Sequence, residues 1–202
     1  MEHILHLSKD KKLKKIIELQ KPYVLSAKKN VYLHLCSSII SQQLSTKVAS
    51  VIYARFLNLY KTKKPTPQQI IDTPFETLRS IGLSNAKAGY VQNVCRFFLD
   101  EKITDAKLHK MSNEELIKYL SQIKGVGQWT VEMILMFTLG REDVFALDDL
   151  GIQQGVARLY NLDTSNKKKL KEKMITLSKN WSPYRTYACR YLWGWKDNAP
   201  KV

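Results

Sequence analysis

The sequence is poor in the residues and patterns that would indicate a secreted, membrane-spanning or metal-cluster protein. Its three cysteines, Cys36, Cys95 and Cys189, lie far apart, so they form neither a CxxC pair nor a Cys/His cluster with the spacing of metal ligands. Charges occur throughout the segment from Met1 to Lys15, and no later apolar run approaches the length that spans a bilayer. We therefore expect reduced thiols, no zinc, no iron-sulfur cluster and no secretion.

Acidic residues are also scarce. Eighteen Asp and Glu stand against 33 Lys and Arg, which gives a formal net charge of +15. An excess of this size usually indicates a polyanionic partner, and nucleic acid is the leading candidate. The lysine runs Lys11 to Lys15 and Lys167 to Lys173 lie on amphipathic segments, so we interpret each single lysine as part of a solvated helix face.

Strand signals are weak, whereas helix start signals recur at short intervals. Thr66-Pro67-Gln68-Gln69 and Ser112-Asn113-Glu114-Glu115 both have the pattern of a capping box. Ser8, Ser45 and Ser84 each precede an amphipathic segment. The sequence therefore predicts an all-α protein of about ten helices, and its 202 residues, 44% of them hydrophobic, suffice for one large core or two small lobes.

The most informative stretch is a glycine turn between two predicted helices, Ile123-Lys124-Gly125-Val126-Gly127-Gln128-Trp129-Thr130. Glycines allow positive φ and a close approach of the backbone to a ligand, and the next helix offers unpaired N–H groups. These features suit a phosphate. The spacing of the two glycines alone, however, indicates no more than an ordinary tight turn.

Five stretches, in collinear order, resemble the helix-hairpin-helix superfamily of DNA glycosylases, and the last of them resembles its DNA-3-methyladenine glycosylase II branch. The stretches are Ile39-Ile40-Ser41-Gln42-Gln43-Leu44-Ser45, Ile81-Gly82-Leu83-Ser84-x-x-Lys87, Leu120-x-x-Ile123-x-Gly125-Val126-Gly127-x-Trp129-Thr130, Asp143-Val144-Phe145-Ala146-Leu147-Asp148-Asp149-Leu150-Gly151 and Trp181-x-Pro183-Tyr184-Arg185-x-Tyr187-Ala188-x-x-Tyr191-Leu192-Trp193. The resemblance spans roughly Val31 to Trp195.

The resemblance implies the helix-hairpin-helix glycosylase fold, with two helical lobes and an active-site cleft between them. We expect one glycosylase unit over residues 1–202, in which residues 31–140 contain the hairpin and residues 1–30 plus 141–202 form the other lobe. The implied partner is double-stranded DNA, with no membrane and no protein partner. We expect a monomer in the cytoplasm, or wherever the genomic DNA resides.

The resemblance assigns the catalytic carboxylate to Asp149, which follows the hairpin by about twenty residues. Breaking an N-glycosidic bond develops oxocarbenium character on the sugar, and a carboxylate stabilises that charge and orients or deprotonates water. A purine alkylated at N3 or N7 leaves without a proton, so no second acid is required. Asp148 is the rival, and from the residues alone either one could cap the following helix. The resemblance favours Asp149 as catalyst and Asp148 as cap.

The residue two positions after Gly127 indicates the reaction subtype. Bifunctional relatives carry a lysine there that forms a Schiff base and cuts the strand. This sequence has Trp129, so we expect release of the base with no cleavage at the abasic site. Trp129 and Trp193 match pocket positions of the family, and Met133 stands where a close relative has an aromatic residue, so these three are the expected substrate pocket for a flipped base.

The resemblance also assigns the contacts to DNA. Gln43 and Leu44 align with the wedge that fills the hole left by the flipped base. Gly125, Gly127, Lys124 and Thr130 are the expected phosphate-binding residues. We expect no organic cofactor and no metal site, and the hairpin carbonyls are the candidate site for a monovalent cation.

Departures from the family pattern and other functions stay open. Ala146 and Asp148 stand where the family usually has proline and glycine, and Gln154 replaces a common basic residue. A specificity for uracil, hypoxanthine or an oxidised base is one alternative, which a preference for cationic purines would distinguish. A non-catalytic DNA-binding module is another, and it would need neither Asp149 nor the tryptophans. A structural helical bundle would leave the glycine turns and the charge unexplained.

Overall fold

A computed structural model describes residues 1–198, and in this range the chain forms thirteen helices and no strand. The predicted all-α class is therefore confirmed. The helices outnumber the ten expected because four of them, α1, α5, α6 and α8, are only six residues long. The helices are α1 Glu2–Leu7, α2 Lys11–Ile17, α3 Val31–Ser41, α4 Thr46–Asn58, α5 Pro67–Asp72, α6 Phe75–Ser80, α7 Asn85–Asp100, α8 Asp105–Lys110, α9 Asn113–Leu120, α10 Gln128–Phe137, α11 Leu150–Tyr160, α12 Lys167–Lys179 and α13 Arg185–Asn198.

Side-chain caps explain where most of these helices begin. Thr66 and Ser112 each form the complete capping box that the sequence predicts, and the hydroxyls of Ser45 and Ser84 accept the backbone N–H three residues later. The interpretation of Ser8 as a helix start was wrong. Ser8 ends α1, and Asp10 caps α2 by accepting the backbone N–H groups of residues 12 and 13. A cap of this kind contributes about 1 kcal/mol.

The chain divides into two compact units. The hairpin unit comprises Lys28–Ile134, and the terminal unit comprises Met1–Ala27 together with the chain from Leu135 onward. No helix in residues 1–198 is both long and apolar enough to cross a membrane.

The core of the hairpin unit forms around α7, which packs against α3 and α5. Apolar residues on α3 and α7 recur at helical spacing, so each helix buries one continuous face. Leu35, Ile39, Val91 and Val94 in this core are fully buried. Burial of each such side chain contributes roughly 1.5–3 kcal/mol.

The core of the terminal unit forms around α11 and α13, which pack against each other and against α2. Trp181 and Tyr191 are its largest fully buried side chains. The indole N–H of Trp181 donates to the Asp10 carboxylate at 3.3 Å, and the Tyr160 hydroxyl donates to the same oxygen. Asp10 therefore caps α2 and also ties that helix to α11 and to the segment before α13.

Candidate active site

Residues 138–149 connect α10 to α11, and side chains at the start of α13 and just before it hold this segment in place. The Arg185 guanidinium donates to both carboxylate oxygens of Asp143 at 2.6 and 2.9 Å, and the Ser182 hydroxyl donates at 2.8 Å. The Thr186 hydroxyl accepts the backbone N–H of Val144 at 3.1 Å. Burial alone would raise the pKa of Asp143, but these hydrogen bonds and the guanidinium charge hold it below its usual value. The segment is thus fixed to α13 by the Asp143–Arg185 ion pair and by the neutral hydrogen bond between Val144 and Thr186.

Asp149 ends this segment and caps α11. Its Oδ1 accepts the backbone N–H of Ile152 at 2.8 Å and the indole N–H of Trp193 at 2.8 Å. The geometry corrects the prediction that Asp148 is the cap, because Asp149 has an extended backbone and its carboxylate accepts from the first turn of α11. Two donors on one oxygen hold the carboxylate in a single orientation.

Asp148 has a different partner. Its carboxylate forms an ion pair with the ammonium group of Lys171 on α12. Both side chains are about half-exposed, so the pair adds little to stability. The pair places the Lys171 ammonium group beside the segment that ends at Asp149, and this ammonium group neutralises the Asp148 carboxylate.

The Trp193 ring, which donates to the Asp149 carboxylate, packs against a second aromatic ring. The Phe137 and Trp193 rings lie 5.8 Å apart between centroids, and the Arg190 guanidinium lies 5.9 Å from the Phe137 ring. Space beside the carboxylate is tight, since a Cβ at Gly151 would lie 3.1 Å from both Asp149 Oδ1 and the Trp193 indole. Trp193 therefore positions Asp149 in addition to offering a ring face.

The glycine turn lies in the hairpin unit, and its two glycines are needed for different reasons. Gly125 has a φ of +103°, and a Cβ there would lie 2.2 Å from the Tyr90 ring, so the fold itself requires glycine. A Cβ at Gly127 would meet no atom of residues 1–198 within 4 Å apart from its chain neighbours. The backbone N–H of Val131 bonds to the Gly127 carbonyl at 3.2 Å, so Gly127 directly precedes the first turn of α10. Glycine is a favoured residue at such a helix N-cap, and the open space beside Gly127 also leaves room for a ligand close to the backbone.

The other predicted phosphate-binding residues differ in exposure. Lys124 is exposed, but Thr130 is only 3% exposed, so a contact from Thr130 would use its backbone N–H. The amides of the first turn of α10 have no intrahelical acceptor. The Gly125 carbonyl accepts the side-chain amide of Gln42 at 3.3 Å. The monovalent cation at these carbonyls stays a prediction.

The predicted wedge is the loop from Gln42 to Ser45, between α3 and α4. Gln43 is exposed and has a φ of +58°, and Leu44 is 36% exposed. The ammonium group of Lys87 fixes the base of this loop by donating to the carbonyls of Ile40 at 3.0 Å and Gln42 at 2.6 Å. Desolvation lowers the pKa of Lys87. The partly buried Lys87 side chain thus holds a loop in which the side chains of Gln43 and Leu44 are exposed.

Comparison with known proteins supports one family. Residues 36–183 match the family described as HhH-GPD superfamily base excision DNA repair protein. This chain belongs to the HhH-GPD superfamily. The matched range includes the wedge loop, the hairpin and the Asp149 segment.

Three relatives of this HhH-GPD chain carry names of 3-methyladenine glycosylases. It is 38% identical over 187 residues to DNA-3-methyladenine glycosylase 1 of Schizosaccharomyces pombe, covering 91% of this chain and 80% of that protein. The structure of the S. pombe 3-methyladenine DNA glycosylase in complex with abasic DNA superposes with a TM-score of 0.88, at 34% identity and 100% coverage of both chains. A DNA-3-methyladenine glycosidase from Bacillus halodurans superposes with a TM-score of 0.83 at 37% identity, covering 96% of this chain and 88% of that one.

Several residues of this HhH-GPD site were not found from the sequence. Asp143 and Lys87 lie in stretches that resemble the family, but their roles were not predicted, because their partners lie more than forty residues away in the chain. Phe137 could have been predicted as a pocket residue, because it follows Trp129 and Met133 at intervals of four residues and so shares their face of α10. Trp129 is 41% exposed and Met133 is half-buried. In residues 1–198, no group of three or more His, Cys, Asp or Glu side chains is placed to hold a metal ion.

Proposed function

We propose that this protein is a monofunctional DNA glycosylase that hydrolyses the N-glycosidic bond of alkylated purines in base excision repair. The proposal covers purines of the 3-methyladenine and 7-methylguanine type, and the product is an abasic site in double-stranded DNA. The observation that carries it is Asp149, an oriented carboxylate at the end of an anchored segment in a superfamily of base excision repair proteins.

The carboxylate of Asp149 supplies the negative charge that the reaction needs. As the base departs, positive charge develops on the deoxyribose, and a fixed carboxylate beneath the ring stabilises it without reorganisation. The same group orients the attacking water and accepts its proton. The hydrogen bonds from Ile152 and Trp193 to Oδ1 hold the carboxylate for this task.

Aromatic side chains supply the selectivity in this proposal. A purine alkylated at N3 or N7 is cationic, and an indole face attracts a cation by roughly 0.5–2 kcal/mol. Trp129, Trp193 and Met133 are the pocket residues proposed from the sequence, and Phe137 joins them because its ring packs against Trp193. Neutral normal purines do not receive this attraction, so they remain in the stack.

The direct test is incubation with methylated duplex DNA, followed by chromatographic identification of the free bases. We expect release of 3-methyladenine and 7-methylguanine that depends on enzyme concentration. Oligonucleotides with uracil, hypoxanthine or 8-oxoguanine serve as substrates for the rival specificities. Release of one of these bases at a higher rate than the methylated purines would contradict the proposed specificity.

The absence of lyase activity is a separate prediction. Because Trp129 occupies the position of the Schiff-base lysine, borohydride reduction during the reaction is expected to trap no covalent adduct with DNA. The abasic product is expected to remain uncut until it is heated in alkali. An adduct that withstands denaturing electrophoresis would show that another amine attacks the sugar.

Substitutions of the two hairpin glycines are expected to have different effects, one on DNA affinity and the other on stability. We propose that the backbone at Gly127 and the first amides of α10, together with Lys124, bind a DNA phosphate. Gly127→Ala is expected to fold normally and to bind duplex DNA roughly tenfold more weakly, because loss of one phosphate contact costs about 1–1.5 kcal/mol. Gly125→Ala is expected to unfold at a lower temperature even without DNA, because its Cβ would overlap the Tyr90 ring.

Thermal melting and fluorescence anisotropy separate these two outcomes. A Gly127→Ala protein with wild-type affinity would exclude a phosphate at this backbone.

For the wedge, we propose that Gln43 or Leu44 enters the duplex at the position that the flipped base has left. Their exposure at the tip of the Lys87-tethered loop supports this role.

A further inference from the structure

Lysines crowd the beginning of α12 in the terminal unit. Lys167, Lys168 and Lys169 fill the first turn, which contains no acidic residue. The N-terminus of a helix is its positive end, so acidic residues stabilise it and lysines oppose it. These lysines therefore do not serve the stability of α12.

An ion pair locates this turn relative to the catalytic segment. Lys171 bonds to Asp148, the chain neighbour of Asp149. Residues three and four positions apart lie on the same side of a helix, so Lys167 and Lys168 stand one turn before Lys171 on its side of α12. The first turn of α12 thus lies beside the segment that carries Asp149.

The two lysines are available to a ligand. Both are exposed, and within residues 1–198 neither forms an ion pair. Lys169 and Lys173, in contrast, line a separate cavity with Tyr160 and Glu172. Lys171 neutralises Asp148, and Glu172 is the one acidic residue of α12, so the net charge on this side of the helix is positive.

We propose that Lys167 and Lys168 bind phosphates of the DNA strand next to the damaged nucleotide, as a second grip that is separate from the hairpin. The inference rests on the proposed function, because a deoxyribose placed at Asp149 brings its flanking phosphates to the same side of the terminal unit. Ammonium groups neutralise such phosphates and release their counterions, so the contact contributes affinity that salt weakens.

The test compares two double variants with the same change of charge. Lys167→Gln/Lys168→Gln removes the proposed contact, and Lys11→Gln/Lys15→Gln removes two exposed lysines without ion pairs from α2 of the same unit. Binding to a duplex with an abasic-site analogue is measured by anisotropy at several salt concentrations. For the α12 variant we expect affinity about tenfold lower near 0.1 M salt, and a slope of log K against log salt that is smaller by about 1–2. The α2 variant is expected to stay within about twofold of wild type.

Equal losses in both variants would indicate a general effect of net charge and overturn the proposal, as would wild-type binding by the α12 variant. Base release at saturating enzyme is the third readout. It is expected to be unchanged, and a slower rate there would mean that the lysines act in the chemical step and not as a grip. If the wild-type protein released no methylated purine, the proposed function would fail, while the salt dependence would still report on the α12 contact.

Discussion

Asp149→Asn is expected to slow base release by roughly 10³-fold, because a neutral amide cannot stabilise the positive charge that develops on the sugar. The structure makes this substitution unusually informative. Asparagine caps a helix as well as aspartate does, and its amide oxygen can accept the same hydrogen bonds from Ile152 and Trp193. The loss would therefore report the charge and not the fold. Single-turnover release of 7-methylguanine from methylated DNA measures it.

Two companion variants complete the comparison. Asp149→Ala removes the cap as well as the charge, so it should lose activity and also about 1 kcal/mol of stability. Asp148→Asn breaks only the exposed ion pair with Lys171, and it should retain most of the activity. Greater damage from Asp148→Asn than from Asp149→Asn would reverse the roles of the two carboxylates.

Asp10→Ala is expected to lower the free energy of unfolding by about 3–5 kcal/mol, the largest stability effect that we predict. The substitution removes the cap of α2 and leaves the Tyr160 hydroxyl and the Trp181 indole N–H without their acceptor in the protein interior. Urea denaturation followed by tryptophan fluorescence measures the loss. Asn166→Ala is the matched control, since Asn166 caps α12 through the single backbone N–H of Lys169, and it should lose only about 1 kcal/mol.

The same network predicts how stability depends on pH. Burial raises the pKa of Asp10, but hydrogen bonds from Tyr160, from the backbone of α2 and from Trp181 outweigh it, so the pKa lies below its ordinary value of 3.8. A carboxylate with a depressed pKa stabilises the fold above its ordinary value and loses that contribution as the pH falls through the folded-state value. Wild-type stability should thus fall steeply below about pH 4, and Asp10→Ala should show a shallower fall. Equal slopes would mean that Asp10 does not contribute to acid unfolding.

The sequence predicted the features that depend on residues close together in the chain, namely the helix caps and the helical class. The caps at Ser45, Thr66, Ser84 and Ser112 were found because a cap bonds to a backbone group two or three residues away. The all-α class followed from the density of such signals. Ser8 shows the limit of this reasoning, because a serine at the end of one short helix has the same neighbours as a serine at the start of the next.

Contacts between distant residues were not predictable in this way. The sequence alone could not assign Asp148 and Asp149, since their roles depend on backbone angles and on partners at positions 171 and 193. The ion pair of Arg185 was equally beyond prediction, since its partner, Asp143, lies 42 residues earlier in the chain. The phosphate, pocket and wedge assignments remain predictions for the experiments above.

The bond from Gln42 to the Gly125 carbonyl joins the loop of Gln43 and Leu44 to the glycine turn. Lys87 anchors the same loop from below through two further carbonyls. In the proposed complex, where the loop enters the duplex and the turn binds a phosphate, this link sets the number of nucleotides between the bound phosphate and the gap left by the flipped base. The protein would then test a base for damage only when that base lies a fixed number of nucleotides from the phosphate bound at the glycine turn.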